Sequence, residues 1–148
     1  MTDTSVTAPA AGLLRRLGAI LYDTLLLAAL WMIATAPLLL LTRGAAIGGA
    51  YIWPFRAYLL LLSFLFFGWF WTHGGQTLGM RAWKLQLTDS RGGSVDWQQS
   101  LIRFLAAMVS WLALGLGFAW VLMDREKRAW HDHLSNTRLV VNAPPRKT

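Results

Sequence analysis

The sequence predicts an all-α membrane protein with two full transmembrane helices. A third hydrophobic segment either spans the membrane or turns back within it, and residues 80–96 and 136–141 form a small β element at the membrane surface. Of the 148 residues, 55% are hydrophobic and only 14% are charged, whereas a soluble domain carries about 25% charged residues. The nine Trp, seven Phe and three Tyr are too many for so short a soluble chain to bury. This composition excludes disordered proteins, disulfide scaffolds and most soluble enzymes.

The first transmembrane helix follows a short polar segment. Between residues 17 and 42 the only charge is Asp23, and at about 1.5 Å per residue this stretch covers a hydrocarbon core of about 30 Å. A cleaved signal peptide is disfavoured because the apolar stretch is too long and Pro37 follows a cleavage-like site. The chain is therefore expected to have three parts: a flexible tail over residues 1–12, a membrane domain over 13–141 and a basic tail over 142–148.

The second transmembrane helix is expected over residues 51–72. Its uncharged stretch, residues 57–72, is slightly short, so Arg56 lies near one end and extends its charge toward the headgroups. Aromatic residues at both ends are typical of membrane interfaces, namely Tyr51 and Trp53 at one end and Trp69 and Trp71 at the other.

Residues 83–88 have the period of a strand rather than a helix. Trp83, Leu85 and Leu87 alternate with polar residues, as in a half-buried strand. A turn follows over residues 89–93. We therefore expect a hairpin lying at the membrane surface.

A second strand is predicted over residues 136–141, and it is placed to pair with the first. That pairing requires both strands on the same side of the membrane. Between the two strands, a helix is expected to begin near Trp97, with either Ser94 or Asp96 as its cap.

The third hydrophobic segment, residues 104–123, is 20 residues long, but the positive-inside rule disfavours a full crossing. With a cytoplasmic N-terminus, a third crossing leaves six Lys and Arg inside and eight outside, whereas a segment that turns back leaves twelve inside and two outside. Gly115 and Gly117 provide a turning point, although irregular backbone at membrane depth must be sheltered by protein or face water. We favour the re-entrant form, with a full crossing as the alternative.

The net charge of +7 comes from cations at the edges of the apolar runs. That placement predicts contact with the bilayer and its anionic lipid headgroups rather than with nucleic acid. The absence of Cys excludes disulfides and thiolate metal sites. His131 and His133 do not share a helix face, so no metal site is expected. With no catalytic or cofactor-binding motif, we expect no cofactor and no enzymatic activity.

Asp23 is the strongest candidate functional residue. An ionisable side chain within a transmembrane helix costs about 3 kcal/mol and by default faces the protein interior with a partner. The alternative is a position near the interface that only fixes the depth of the helix. Arg16 lies two turns earlier on the same helix face, a spacing that permits a shared polar stripe, although about 10 Å of helix rise is long for a direct bond.

Two further groups of charges border the last apolar run. Asp124, Arg128 and Asp132 are spaced four apart and would line one face of a continuous helix, where ion pairs on a solvated surface are favoured. Arg103 lies at the start of the run. It is either a partner for a carboxylate or an anchor that extends toward the headgroups.

Three segments resemble motifs of the RDD family of small membrane proteins. Residues 15–23 (RRLGAILYD) are similar to its opening signature, and residues 75–81 (GQTLGMR) resemble the segment after its second hydrophobic helix. Residues 130–141 (WHDHLSNTRLVV) resemble its closing block. Asn136 stands where Gly is more usual, and this departure is expected to stiffen the turn before the last strand.

The resemblance implies that the Arg and two Asp for which the family is named are Arg16, Asp23 and Asp132. These residues would form a polar cluster at the cytoplasmic interface, a candidate ion or proton site. The residues expected to support the cluster are Arg103, Arg128, Gln76, Trp130 and His131.

The function that the resemblance implies is transport, linked to a cation or a proton. On this hypothesis the chain is a small oligomeric transporter or a transporter subunit, and Asp23 binds the ion. The alternative is a membrane scaffold or assembly factor in which the Arg and Asp residues are structural. Either protein would be multi-pass in the inner (cytoplasmic) membrane with a cytoplasmic N-terminus, and would form a homo-oligomer or bind partner membrane proteins.

Overall fold

The structure, a computed structural model, describes residues 8–45 and 47–142. Two helices are long and apolar enough to cross a membrane: α1, Leu13–Leu41, and α2, Ile52–Thr72, which follows a 3₁₀ turn at Gly49–Tyr51. They confirm the two predicted transmembrane helices. Large apolar side chains on both helices are exposed, and such surfaces are suited to contact with lipid.

The third hydrophobic segment is bent. It consists of α4, Trp97–Leu112, and α5, Leu116–Ala119, which continues into a 3₁₀ turn at Trp120–Leu122. The helix axis turns by 107° between the two halves. At the break Leu114 and Gly115 have φ angles of 55° and 80°, and glycine adopts such left-handed angles without strain. Gly117 allows the halves to pack closely, since a Cβ there would overlap the Ser110 side chain. The bend therefore lies at the predicted turning point.

A set of short elements, called here the surface layer, joins the ends of these helices. It consists of α3, Leu78–Ala82; β1, Leu85–Asp89; α6, Trp130–Leu134; and β2, Thr137–Val141. The strands form an antiparallel pair in which Leu85 lies opposite Val141 and Asp89 opposite Thr137. The apolar side of this pair packs with Ala19, Trp71 and Met80 into the core. The pairing confirms the β element predicted from two distant segments.

The prediction of a hairpin within residues 80–96 is wrong in its details. The strand begins only at Leu85, because residues 80–82 belong to α3. Its partner is β2, and the turn at residues 89–93 leads into α4 instead of a second strand. Asp96 is the cap of α4, since it accepts a hydrogen bond from the Gln99 N–H at 2.7 Å.

The end of the predicted N-terminal tail lies along β2. The Ala11 N–H donates to the Leu139 carbonyl at 2.9 Å, and the Val141 N–H donates to the Pro9 carbonyl at 2.8 Å. Ala11 is fully buried, so this part of the predicted tail is an ordered edge of the sheet. The rest of both predicted tails, residues 1–7 and 143–148, lies outside the described residues.

Both ends of the bent segment connect to the surface layer. The same layer meets the start of α1 through Ala11 and the end of α2 through Gly75, whose carbonyl accepts a hydrogen bond from the Leu87 N–H at 2.7 Å. The segment is therefore not a straight third helix, and a bend of 107° is the geometry of a broken span or of a re-entrant loop.

Candidate functional site

Asp132 lies between two arginines. Its Oδ2 accepts a hydrogen bond from Arg16 at 2.7 Å, and its Oδ1 accepts one from Arg103 at 2.5 Å. Arg16 and Arg103 are each 3% exposed and Asp132 is fully buried. These three residues are called the triad below. The triad connects α1, α4 and α6, so it attaches the first helix and the bent segment to the surface layer.

Carbonyl, amide and hydroxyl groups complete the bonding of the triad. Arg16 also donates to the carbonyl oxygens of Ala11 at 3.1 Å and Lys127 at 2.9 Å. Arg103 donates to the Thr137 hydroxyl at 2.8 Å. Asp132 accepts a further hydrogen bond from the Ala129 N–H at 3.0 Å. These partners are three backbone groups and one buried hydroxyl, and such bonding indicates a structural role for the triad.

The triad carries two positive charges and one negative charge. Burial alone would raise the pKa of Asp132, but the guanidinium groups of Arg103 and Arg16 hold the pKa well below its usual range. Burial, followed by the charge of Arg103, lowers the pKa of the neighbouring His131 to about 3. At neutral pH Asp132 is therefore ionised, His131 is neutral, and the triad has a net charge of +1.

Asp23 binds a different part of the surface layer. Its carboxylate accepts hydrogen bonds from the Thr77 hydroxyl and from the Gly79 N–H, the latter at 2.8 Å. Gly79 lies in the first turn of α3, and Thr77 is the N-cap of that helix. Gly79 is needed here because a Cβ would overlap the Ala19 carbonyl and the Asp23 carboxylate.

The structure therefore divides the three residues that the sequence grouped together. Arg16 and Asp132 are bonded directly, whereas Asp23 has neither as a hydrogen-bond or ion-pair partner among the described residues. Along α1, Asp23 lies seven residues beyond Arg16, which corresponds to about 10 Å of helix rise.

A cavity of about 340 Å³ joins the two groups. It lies between α1 and α4, and its lining includes Arg16 and Asp23 from α1, Arg103 from α4 and His131 from α6. The remaining walls are mostly apolar. Asp23 thus faces the same space as the triad without bonding to it.

The other predicted supporting residues have varied positions. Gln76 donates to the Leu85 carbonyl at 2.6 Å and holds the end of α2 against β1. Trp130 packs against Trp120, with ring centroids 6.1 Å apart. The Arg128 side chain forms an ion pair with Glu126 at 2.8 Å, and among the described residues it has no ion pair with Asp132.

The predicted continuous helix over residues 124–132 is wrong. Helix α6 begins only at Trp130, and the preceding residues turn, with Lys127 at a φ of 53°. The Asp124 carboxylate closes this turn by accepting a hydrogen bond from the Arg128 N–H at 2.8 Å. Because the helix is interrupted, Asp132 is free to point inward instead of joining a solvated face.

Sequence reasoning missed Thr77, Gly79, Thr137 and Trp71. The first three lie inside the segments that resemble family motifs, and this location could have identified them as candidate site residues. The sequence predicts a position at the membrane interface for Trp71, but its side chain is only 6% exposed, and the Arg103 guanidinium lies 5.3 Å from its ring centroid. Nothing in the apolar run distinguishes Trp71 from the exposed Trp69.

The backbone of Asn136 adopts a φ of 53°. Glycine adopts such an angle without strain, which explains why Gly is more usual at this position of the motif.

Comparisons with known proteins give a family but no individual relative. The model of the RDD family matches residues 10–136, which include the triad and Asp23. No curated protein and no solved structure gives a significant match. Within the described ranges, 8–45 and 47–142, no group of three or more His, Cys, Asp or Glu residues is placed to hold a metal ion.

Proposed function

Because the chain belongs to the RDD family of membrane proteins, we propose that it is a small oligomeric transporter, or a subunit of one, in which Asp23 binds a proton or a cation. One observation carries this proposal. Asp23 is an acidic residue of a membrane-crossing helix that faces a cavity, and among the described residues it has no cationic partner within 4 Å.

The lack of a paired cation matters because an acid in a transmembrane helix is costly to maintain. Asp132, by contrast, is held by two guanidinium groups and is not available to bind another cation. Asp23 is held only by a hydroxyl and an amide, so its charge can be neutralised by a proton or cation entering from the cavity. The triad would keep the cavity walls in place, and no catalytic step is involved.

A single copy of the chain does not enclose a pathway. The cavity is open between α1 and α4, and its rim includes the exposed Thr24 and Trp111. A second copy or a partner membrane protein packed against α1 would close it. We therefore include assembly into an oligomer in the proposal.

The test is ion flux in liposomes that contain the purified full chain and a pH-sensitive dye. Wild-type protein is expected to move protons when a gradient of Na⁺ or K⁺ is applied. Asp23→Asn is expected to reduce this flux to the level of protein-free liposomes, because Asn keeps the size of the side chain but does not titrate and carries no negative charge.

Asp96→Asn is the matched control. Asp96 also accepts a backbone hydrogen bond at the start of a helix, and Asn is an equally good cap, so flux should be unchanged. Equal flux in wild type and Asp23→Asn would refute the role of Asp23. Absence of flux in assembled wild-type protein would refute transport of these ions.

The proposal also places the chain in the inner (cytoplasmic) membrane with its N-terminus in the cytoplasm. The chain has no native Cys, so single introduced Cys residues report their side unambiguously. Asn142→Cys, next to β2, is expected to resist an impermeant thiol reagent in intact cells and to react after lysis. Ala45→Cys, between α1 and α2, is expected to react in intact cells. The reverse pattern would invert the proposed orientation, and labelling of both positions would exclude the re-entrant segment.

A scaffold or assembly factor is the second candidate. The observation that favours it is that both Asp23 and Asp132 bind elements of the surface layer through several hydrogen bonds. On this alternative, Asp23→Asn would release α3 from α1 and reduce the yield of assembled protein, whereas wild-type liposomes would show no flux.

A further inference from the structure

We propose that the cavity between α1 and α4 is a binding site for an anionic phospholipid, with the phosphate at the triad and an acyl chain leaving between the two helices. This inference concerns binding and does not depend on transport through Asp23.

Buried polar atoms without partners, two of which can only donate, point to an oxygen-rich ligand. Trp71 Nε1, Arg103 Nε and His131 Nδ1 have no hydrogen-bond partner among residues 8–45 and 47–142. All three side chains line the cavity, and each is at most 6% exposed. Indole and guanidinium nitrogens only donate hydrogen bonds, so only an acceptor such as a phosphate oxygen satisfies Trp71 and Arg103. A buried donor left unsatisfied is costly.

The charge of the triad, at the polar end of the cavity, favours an anion there. The two guanidinium groups of the triad share one carboxylate, and His131 is neutral at physiological pH. Asp23, the other acid in the cavity, uses its carboxylate oxygens to bind Thr77 and Gly79 and makes no ion pair with either arginine. A phosphodiester bound at the polar end would lie next to the two guanidinium groups, with Asp23 seven residues further along α1.

Apart from Asp23 and Thr24, which line it midway along α1, the cavity also has the polarity gradient of a lipid. Arg16 and Arg103 define its polar end next to the surface layer. Going along α1 the lining continues to Leu27, and along α4 to Trp111, which is 62% exposed. The polar end thus lies at headgroup depth and the apolar end opens toward the acyl chains. A volume of about 340 Å³ is at the small end of ligand pockets, so it suits a headgroup and the first part of one chain.

The experiment is native mass spectrometry of the delipidated full chain with added phosphatidylglycerol or phosphatidylcholine. One phosphatidylglycerol per chain is expected to bind at concentrations where phosphatidylcholine does not. Trp71→Phe keeps the ring packing but removes the N–H, and should weaken phosphatidylglycerol binding by about tenfold or more. Ala107→Trp, which puts a bulky side chain into the cavity, should abolish it.

The matched controls are Trp69→Phe, at an exposed Trp, and Ala28→Trp, at an exposed position of α1 outside the cavity lining. Both should bind phosphatidylglycerol as wild type does.

Equal binding of the two lipids, or unchanged binding in Trp71→Phe, would overturn the proposal. Displacement of the lipid by millimolar inorganic phosphate, together with direct phosphate binding, would reassign the site to a free anion. Loss of flux in Asp23→Asn with lipid binding intact would separate this site from the proposed transport function.

Discussion

Replacing Asp132 with Asn is expected to destabilise the folded protein by about 3–5 kcal/mol, the usual cost of removing one partner from a buried ion pair. Asn keeps the size of the side chain but removes the negative charge, which leaves two guanidinium groups side by side with neither exposed by more than 3%. Since the triad attaches α1 and α4 to α6, the surface layer should separate from the helices. The measurement is the loss of monodisperse protein on heating in detergent.

Glu126 offers a closely matched control for this prediction. It also bridges two arginines, Arg128 at 2.8 Å and Arg138 at 2.9 Å, but its side chain is 51% exposed. Because exposed ion pairs contribute only about 0–1 kcal/mol, Glu126→Gln should have little effect on thermal stability. Equal losses in the two variants would mean that burial of the triad is not what stabilises the surface layer.

The sequence was sufficient to predict the parts of the fold that depend on local composition. The long uncharged run around Asp23 predicted α1, and the positive-inside count together with Gly115 predicted that the last segment bends. The pairing of β1 with β2 was also predicted, from two distant segments, and Leu85 does lie opposite Val141. The additional local hairpin was incorrect, because alternation of side chains identifies a strand but not the number of its neighbours. The nearby turn at residues 89–93 made a second strand beside β1 the simpler expectation.

The candidate site was predicted only in part for a related reason. The motifs identified Arg16, Asp23 and Asp132, and the position of Arg103 at the start of an apolar run left open its role as a carboxylate partner. Whether two polar residues on one helix share a hydrogen-bond partner depends on which other helices or strands pack beside each of them. Here α3 places Thr77 and Gly79 beside Asp23, while α6 places Asp132 beside Arg16. Helices α3 and α6 have only five residues each, which is too short for a hydrophobic period in the sequence to indicate where they pack.

The second large effect is expected at mildly acidic pH and originates at His131. Burial and the charge of Arg103 lower its pKa to about 3 in the folded protein, against about 6.5 in the unfolded chain. Between these values the unfolded state binds a proton that the folded state does not, so stability falls as the pH decreases through this window. The loss is about 1.4 kcal/mol per pH unit below 6.5, or about 2–3 kcal/mol between pH 7.5 and 4.5. Asp132 has a lowered pKa and stays ionised over this range, so it does not contribute.

This acid sensitivity should disappear in His131→Gln, whose side chain does not titrate. The measurement is the unfolding free energy in denaturant at pH 7.5, 6.0 and 4.5, and the informative quantity is the change with pH rather than the absolute value. His133→Gln is the matched control, because His133 has a side chain that is 37% exposed and should leave the acid sensitivity of wild type in place. If His131→Gln lost as much stability as wild type between pH 7.5 and 4.5, another group would be responsible for the acid sensitivity. In that case His131 would have to be accessible to protons in the folded state, contrary to its enclosed position beside Phe118 and Asp132.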